Sequence, residues 1–405
     1  MSTTTYILMH RDIPAVELLV NDNTGIIKRS KIINVNHAPI CYKDNESLNN
    51  WWERRSIPKY QQNKEILLNG QTSLLYMIQN LGLSVIDNYW IKRPETNLSW
   101  DDINLYTHDF AEKDFSFTNT NSLNSFTPGS TTQGELQKRW VIINGIRYLI
   151  KGNLGPMYRQ SINEVFATKL HEMQGMPHTT YELFDLPAAL GSGIGCISKN
   201  FTTEDLEFIP AYDITGMGNK TNSTSIYQYY IDTCVMMGIN REIMQDFMDY
   251  QIMSDFLLSN IDRHLLNFGI LRDPISLQFI CPAPIFDTGN SMFFNTDYNE
   301  KTVFDIRVNS WYKTELQLLN QVQNPQILDL DKIPGEEYIN DIYGKDKYSV
   351  VYLDNLKAGY LKKIEMIEAL QKGYSLNWRS ENFYGKQKTF ILEHDSLSCD
   401  NFVKD

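Results

Sequence analysis

The chain of 405 residues carries a formal net charge of −12 at pH 7, and its five cysteines are scattered without a C-x-x-C pair. The length predicts two or three domains, and the acidic charge argues against nonspecific nucleic-acid binding across the whole surface, which requires a field of lysine and arginine. The cysteine pattern excludes a disulfide framework and argues against a zinc site; with no secretion signal and no apolar run of about 20 residues, we expect a cytoplasmic protein that enters no membrane.

The first part of the chain combines short strand-like segments with one helix. Apolar residues at helical spacing predict a helix from Gln71 to Leu81. This part carries no motif with a chemical role, so we predict an N-terminal extension of mixed strands and helix over residues 1–105. β-type composition predicts its strands at Tyr6 to Leu8, Ala15 to Val20, Lys31 to Val35 and Val85 to Lys92.

A β-hairpin is the clearest local prediction further along the chain. Trp140 to Ile143 and Arg147 to Ile150 are strand-like, and they flank Asn144-Gly145. An Asn-Gly pair accepts positive φ at both positions and therefore favours a two-residue type I′ turn. The hairpin is expected to place Lys151 at the end of its second strand.

After the hairpin the predicted elements become mainly helical. A helix carries Phe166, Leu170 and Met173 on one face, with Glu164 in its first turn. The order of elements predicts an α+β fold of two lobes, a β-rich N-lobe over 106–202 and a mainly helical C-lobe over 203–405. The other predicted elements are strands at Thr180 to Phe184, Gly195 to Phe201, Asn267 to Leu271 and Ile280 to Phe286, and helices at Ser225 to Met237, Arg241 to Leu258 and Leu353 to Lys372.

The sharpest motif contains the order Asp262-Arg263-His264-x-x-Asn267, and Asp287 follows it after Ile285-Phe286. Phosphoryl transfer needs a carboxylate that accepts the proton of the acceptor hydroxyl, and an amide oxygen and a second carboxylate that hold Mg²⁺. Asp262, Asn267 and Asp287 supply this set. The spacing of Asp262 and Asn267 is that of the kinase catalytic loop D-x-x-x-x-N.

Two other interpretations of these residues stay open. Asp262 and Asn267 also suit a helix-capping aspartate followed by a loop asparagine, and Asp-Thr-Gly is a common turn sequence. Asp287-Thr288-Gly289 also has the form of an aspartic-protease motif. That chemistry needs a second such motif or a homodimer, and the flanking sequence gives it no support.

Lys151 and Glu164 form a second candidate pair. Kinases use a strand lysine to bind the α and β phosphates, and a glutamate on the next helix holds that lysine. The alternative is an exposed lysine at a strand end and a glutamate that the helix macrodipole favours at a helix N-terminus.

A candidate nucleotide loop lies upstream of the hairpin. Gly129 and Gly134 frame Ser130, Thr131, Thr132 and Gln133, but no Lys-Ser/Thr pair follows, which excludes a P-loop NTPase. There is also no G-x-G-x-x-G. The backbone N–H groups and hydroxyls of Gly129, Ser130 and Thr131 suit contact with phosphates, and a plain flexible loop is the alternative.

The order of these parts over about residues 105–375 resembles the HipA-like kinases, a bacterial serine/threonine protein kinase family. The resemblance implies a bilobal protein-kinase-like fold that uses ATP and Mg²⁺. The residue roles that it implies are catalytic base for Asp262, metal ligand for Asn267 and Asp287, phosphate binding for Lys151, support of the catalytic loop for Arg263 and His264, and self-phosphorylation at Ser130, Thr131 or Thr132.

The resemblance also bears on partners. HipA-type kinases are often toxins paired with a DNA-binding antitoxin, so it implies a protein substrate and an antitoxin or other regulatory partner. We expect no direct nucleic-acid binding by this chain. The alternatives are a small-molecule or phosphatidylinositol-type kinase on the same fold, with an acceptor pocket between Asn290 and Tyr312, and a nucleotide-binding pseudokinase.

Overall fold

The computed structural model describes residues 2–57, 68, 70–108, 136, 138–153, 159–186, 193–218, 220–294, 298, 303–304, 306–344, 350–379 and 389–394. The chain divides into two compact units, each assembled from segments that are separated in the sequence. The first unit comprises Met1–Val165, Pro177–Met244 and Leu265–Phe286, and the second comprises Phe166–Met176, Gln245–His264 and Asp287–Asp405.

The described residues form mixed α and β structure. The strands are β1 (Thr3–His10), β2 (Ile13–Asn21), β3 (Ile27–Ile32), β4 (Tyr89–Lys92), β5 (Lys138–Ile143), β6 (Ile146–Lys151), β7 (Tyr181–Leu186), β8 (Gly193–Lys199), β9 (Glu207–Pro210), β10 (Gly269–Arg272), β11 (Phe279–Pro282), β12 (Tyr374–Arg379) and β13 (Thr389–His394). The helices are α1 (Asn45–Arg54), α2 (Ser73–Gln79), α3 (Trp100–Ile103), α4 (Arg159–Gln174), α5 (Ala211–Thr215), α6 (Ile226–Met236), α7 (Arg241–Leu258), α8 (Glu315–Leu319), α9 (Glu336–Tyr343) and α10 (Val350–Gln371).

An antiparallel sheet with the order β3-β2-β1-β4 begins the first unit. Its buried face packs on helix α1, which was not predicted from the sequence. This helix starts at a capping box, in which the Asp44 carboxylate accepts the Ser47 N–H at 2.8 Å and the Ser47 hydroxyl oxygen accepts the Asp44 N–H at 2.9 Å. Trp51 and Trp52 are buried against the sheet core, so burial of two large aromatic rings stabilises a helix with several asparagines of low propensity.

The N-terminal region is joined to the hairpin by a shared core. Trp90 of β4 and Trp100 of α3 are fully buried and belong to the same apolar cluster as Trp140 of β5. The predicted N-terminal extension therefore packs on the element that carries Lys151, within the first unit.

The predicted hairpin is confirmed. β5 and β6 pair in antiparallel register around Asn144 and Gly145, whose φ angles of 51° and 77° are those of a type I′ turn. The hairpin belongs to an antiparallel sheet with the order β5-β6-β8-β7. Lys151 lies opposite Lys138 on one side and Cys196 on the other, so its backbone is inside the sheet.

The third sheet of the first unit, in the order β11-β10-β9, holds the segments that lead to and from the predicted catalytic residues. β10 begins two residues after Asn267. Phe286 packs on Phe201 and Phe208, with ring centroids 5.1 and 5.5 Å away, and so anchors the chain just before Asp287. Ile285 also forms a parallel bridge with His178.

The second unit is mainly helical. Phe166 of α4 lies against Tyr338 and Tyr343 of α9 and Tyr360 of α10, with ring centroids 5.6–5.9 Å apart. A buried ion pair between Glu315 and Lys363 joins helices α8 and α10. Antiparallel sheets combined with helices confirm the predicted class of mixed α and β structure. The two-lobed arrangement and the domain boundaries at residues 105 and 202 stay predictions.

Most predicted elements after residue 200 are confirmed. The three helix predictions match α6, α7 and α10, and the strand prediction near Asn267 matches β10. β11 ends at Pro282 rather than Phe286, and β3 begins at Ile27 rather than Lys31. The four cysteines that the structure describes form no disulfide bonds, and no helix in the described ranges has the length and apolarity to cross a membrane.

Candidate active site

Lys151 and Glu164 form a buried ion pair in the first unit. The Lys151 ammonium donates to the Glu164 carboxylate at 2.8 Å and to the Tyr181 hydroxyl at 3.2 Å. Its charge also lies 4.9 Å from the centre of the Tyr181 ring. Lys151 is 6% exposed and Glu164 is 3% exposed, so both charges are removed from water.

This burial contradicts the alternative of an exposed strand-end lysine. The prediction that Glu164 lies in the first helical turn is also wrong, because α4 begins at Arg159. A macrodipole explanation for Glu164 fails for the same reason, since the effect falls off beyond the first turn. A buried ion pair adds less net stability to a protein than apolar side chains of similar size would add.

The predicted catalytic loop connects α7 to β10 and is held by a buried cluster in the second unit. Asp255 of α7 receives the Arg263 guanidinium through two nitrogens at 2.9 and 3.0 Å, and it accepts the Asn260 amide at 2.8 Å. Arg263 also donates to the Thr288 hydroxyl at 3.1 Å. The prediction that Arg263 supports the loop is confirmed, because a bidentate guanidinium–carboxylate pair fixes both partners in one plane.

Asp262, the predicted base, is half-buried in this loop and accepts an amide on each carboxylate oxygen. Asn290 donates to one oxygen at 3.0 Å and Asn309 to the other at 3.1 Å. The backbone is held at the same two places, since the Ile261 N–H donates to the Asn290 carbonyl at 3.1 Å and the Asn309 N–H donates to the Ile261 carbonyl at 2.8 Å.

The predicted metal ligands Asn267 and Asp287 follow different elements. Asn267 is buried directly before β10 in the first unit, and Asp287 is half-buried at the start of a segment of the second unit. Asp287 has a φ of 57°, in the left-handed region that non-glycine residues rarely occupy and that recurs at functional sites. An amide and a carboxylate oxygen are ligands that suit Mg²⁺, so the donor chemistry fits that ion.

The remaining predicted site residues have different outcomes. His264 is half-buried in the predicted catalytic loop, and its catalytic role stays a prediction. Gly129, Ser130 and Thr131, predicted to bind nucleotide, lie outside the described residues.

Sequence reasoning missed four residues that hold the predicted ones: Tyr181, Asp255, Asn290 and Asn309. Asp255 left a signal, because it is a carboxylate on the apolar helix α7 shortly before the catalytic motif. The two asparagines left none, since asparagine is an ordinary loop residue and its contacts depend on the tertiary fold.

Comparison with known proteins bears on the fold. No protein-family model matches the chain, and no curated protein matches it. The structure is similar to HipA from the Shewanella oneidensis MR-1 toxin–antitoxin complex of HipA, HipB and operator DNA, with 12% identity, 91% of this chain and 99% of that chain covered, and a TM-score of 0.52. It is also similar to a Helicobacter pylori proinflammatory kinase, CtkA, with 18% identity, 60% of this chain and 96% of that chain covered, and a TM-score of 0.45.

The likeness to the Shewanella protein shows the fold of this chain, which is HipA-like. The predicted resemblance is confirmed at that level.

Proposed function

We propose that this chain is an ATP- and Mg²⁺-dependent phosphotransferase of bilobal, kinase-type architecture that phosphorylates serine or threonine hydroxyls of a protein. The observation that carries the proposal is the buried pair of Lys151 and Glu164. A lysine held at the end of a sheet strand by a helix glutamate is the arrangement that kinases use for the α and β phosphates of ATP. The HipA-like fold supports it.

Each predicted residue has one role in this proposal. Lys151 binds phosphate oxygens, while Glu164 and Tyr181 keep its ammonium group in place. Asp262 orients the acceptor hydroxyl and takes its proton as the hydroxyl oxygen bonds to the γ-phosphorus and the bond to ADP breaks. Asn267 and Asp287 hold Mg²⁺, which when bound neutralises charge on the phosphates.

Three further proposals concern the partner, the location and the self-phosphorylation of the chain. HipA of Shewanella oneidensis is found with HipB and operator DNA, so we infer an antitoxin-like protein partner for this chain. We also propose a cytoplasmic location. Self-phosphorylation at Ser130, Thr131 or Thr132 remains a proposal about residues outside the described ranges.

The test is transfer of radioactive γ-phosphate from ATP. We expect the purified chain to label itself or a protein acceptor with Mg²⁺ present and to label nothing with EDTA. Phospholipids and small alcohols are offered in parallel reactions. Labelling of these acceptors instead of protein contradicts the protein-kinase assignment, and ATP binding without transfer to any acceptor contradicts the enzymatic one.

Lys151→Met is expected to weaken ATP binding by about ten- to a hundredfold, because a charge-assisted hydrogen bond is worth about 1.5–3 kcal/mol. The Kd is measured by calorimetry with Mg²⁺ present. Lys199→Met provides the control, since Lys199 is an exposed lysine of the same sheet. Equal ATP affinities of the two variants would remove Lys151 from the nucleotide site.

A further inference from the structure

A short loop of the second unit, residues 306–314, reaches the predicted base. The loop is closed like a small hairpin. Arg307 forms an antiparallel bridge with Thr314, and the Val308 N–H donates to the Lys313 carbonyl at 3.0 Å. These bonds fix the two ends of the loop beside each other and leave Asn309 at its exposed tip.

The end of the 306–314 loop is anchored in the helical part of the unit. The Thr314 hydroxyl accepts the Gln317 N–H at 3.3 Å and so caps α8. Glu315, the first residue of α8, forms an ion pair with Lys363 of α10, and both side chains are buried. Burial raises the pKa of Glu315 to about 7, although the attraction of Lys363 opposes the shift. The loop is thus attached to the packed interior of the unit.

Asn309 bonds to the catalytic loop at two points. Its backbone N–H donates to the Ile261 carbonyl at 2.8 Å, and its side-chain amide donates to Asp262 Oδ1 at 3.1 Å. Asn290, three residues after Asp287, makes the complementary pair of bonds to the Ile261 N–H and to Asp262 Oδ2. Each oxygen of the Asp262 carboxylate therefore accepts a hydrogen bond from one of these two side-chain amides.

We propose that Asn309 is a positioning residue that sets the orientation of the Asp262 carboxylate for proton transfer; this inference rests on the proposed phosphotransfer function. The terminal torsion of an aspartate is broad and two-fold, so the carboxylate plane is not defined by packing of the chain alone. Two donors on opposite oxygens define it. One donor comes from the loop of Asp287 and the other from the 306–314 loop, so the base is oriented by both.

The acceptor hydroxyl of a substrate needs one lone pair of the same carboxylate. Each carboxylate oxygen has two lone-pair sites, so an oxygen that accepts Asn309 still has capacity for a hydroxyl. Asn309 thereby restricts rotation of the Asp262 carboxylate but leaves it able to accept the proton of the acceptor hydroxyl. Loss of such alignment costs rate more than substrate binding, because the reacting atoms must meet within a narrow geometry.

The test compares wild type with Asn309→Ala and Asn309→Asp in the labelling reaction. Asn309→Ala is expected to lower kcat by about ten- to a hundredfold and to change the KM for ATP by less than about twofold. Asn309→Asp keeps the size of the side chain but cannot donate and repels Asp262, so its kcat is expected to be at least as low. Asn340→Ala, at an exposed position of α9, is the control and keeps the wild-type kcat.

A second measurement does not depend on activity. In a cycle of Asn309→Ala, Asp262→Ala and the double variant, the effects on the unfolding equilibrium constant are expected to be non-additive by about two- to tenfold, the worth of one hydrogen bond. Additive effects, or a kcat of Asn309→Ala or Asn309→Asp equal to or above that of wild type, overturn the inference. If the wild-type chain transfers no phosphate to any acceptor, both the proposed function and the positioning role are overturned. This holds even if the cycle shows that Asn309 and Asp262 are energetically coupled.

Discussion

Asp262→Asn is expected to lower the rate of phosphoryl transfer by about a thousandfold, which is the usual size of a general-base contribution. The amide is nearly the same shape as the carboxylate but does not accept the proton of the acceptor hydroxyl. ATP binding should change little, because Lys151 carries the contact with the phosphates in this proposal. The measurement is the rate of γ-phosphate transfer at saturating ATP, with the Kd of ATP determined separately.

The surroundings of Asp262 add a structural signature to this prediction. Asn290 and Asn309 each donate an amide to one carboxylate oxygen. An asparagine at 262 presents one oxygen and one NH₂ group, so one of these donors must face another donor. We therefore expect Asp262→Asn to lower the free energy of unfolding by about 0.5–1.5 kcal/mol, the worth of one hydrogen bond whose displaced donor can reach water.

Asp354→Asn is the control for both measurements. It replaces a carboxylate by an amide in the same way, but at an exposed position of α10 away from the loop. It should retain the wild-type rate and stability. Equal transfer by Asp262→Asn and wild type removes Asp262 from the mechanism. A slow variant of unchanged stability would instead contradict the two-amide arrangement around the carboxylate.

Local chemistry explains which parts of the fold could be predicted. Asn144-Gly145 determines its turn because few residue pairs accept a positive φ at both positions. The turn then brings the two flanking strands into antiparallel register. Helix α6 is capped by Ser225, whose hydroxyl accepts the Gln228 N–H at 3.0 Å, and serine is a residue type that favours this position. Each of these elements carries its own signal within a few residues.

The candidate site could be predicted only in part, since its residues are held from far along the chain. The bonds to Asp262 come from asparagines 28 and 47 residues away, and no local pattern in the sequence marks them. The Lys151–Glu164 pair was predicted by analogy with kinases, but its burial depends on how β6 and α4 pack. The same limit applies to the buried ionic network of the first unit.

That network joins the N-terminal sheet to β9 and β10. Glu207 of β9 is fully buried. The Arg272 guanidinium lies 2.6 Å from its Oε1, and His10 Nε2 lies 3.2 Å from each of its two carboxylate oxygens. His10 also contacts His37 at 2.9 Å, and Arg272 donates to the Tyr89 hydroxyl at 3.3 Å. Glu207 and its two ionisable partners, Arg272 and His10, lie 65 and 197 residues apart in sequence, so the network holds β1 against the hairpin that follows Asn267.

The protonation of Glu207 gives this network a pH signature. Burial alone would raise the pKa of Glu207, but the attraction of Arg272 and His10 outweighs burial and lowers the pKa from 4.5 to about 2. Between these values the unfolded chain binds more protons than the folded chain. The contribution of this carboxylate to stability, about 3 kcal/mol, is therefore complete above pH 4.5 and lost as the pH falls towards 2.

Arg272→Met is expected to lower the free energy of unfolding by about 3–5 kcal/mol at pH 7, because it leaves the Glu207 charge buried without its main partner. The difference in unfolding free energy between wild type and the variant should be smaller near pH 4. At that pH, Glu207 in the variant can bind a proton and no longer carries an unpaired charge. Urea unfolding at the two pH values measures both effects. Arg29→Met, in the exposed edge strand β3, is the control and should change stability by less than about 0.5 kcal/mol.

The double variant Arg272→Met with Glu207→Gln separates charge from packing. Removing the charge along with its partner should recover part of the stability lost in Arg272→Met, since a neutral amide is cheaper to bury than an unpaired carboxylate. If the double variant is no more stable than Arg272→Met, the lost stability comes from the volume of the arginine stem. If Arg272→Met lies within about 1 kcal/mol of wild type at pH 7, the ionic contacts of Glu207 do not hold the N-terminal sheet to β10, and apolar contacts such as those of Trp90 and Trp140 carry that junction.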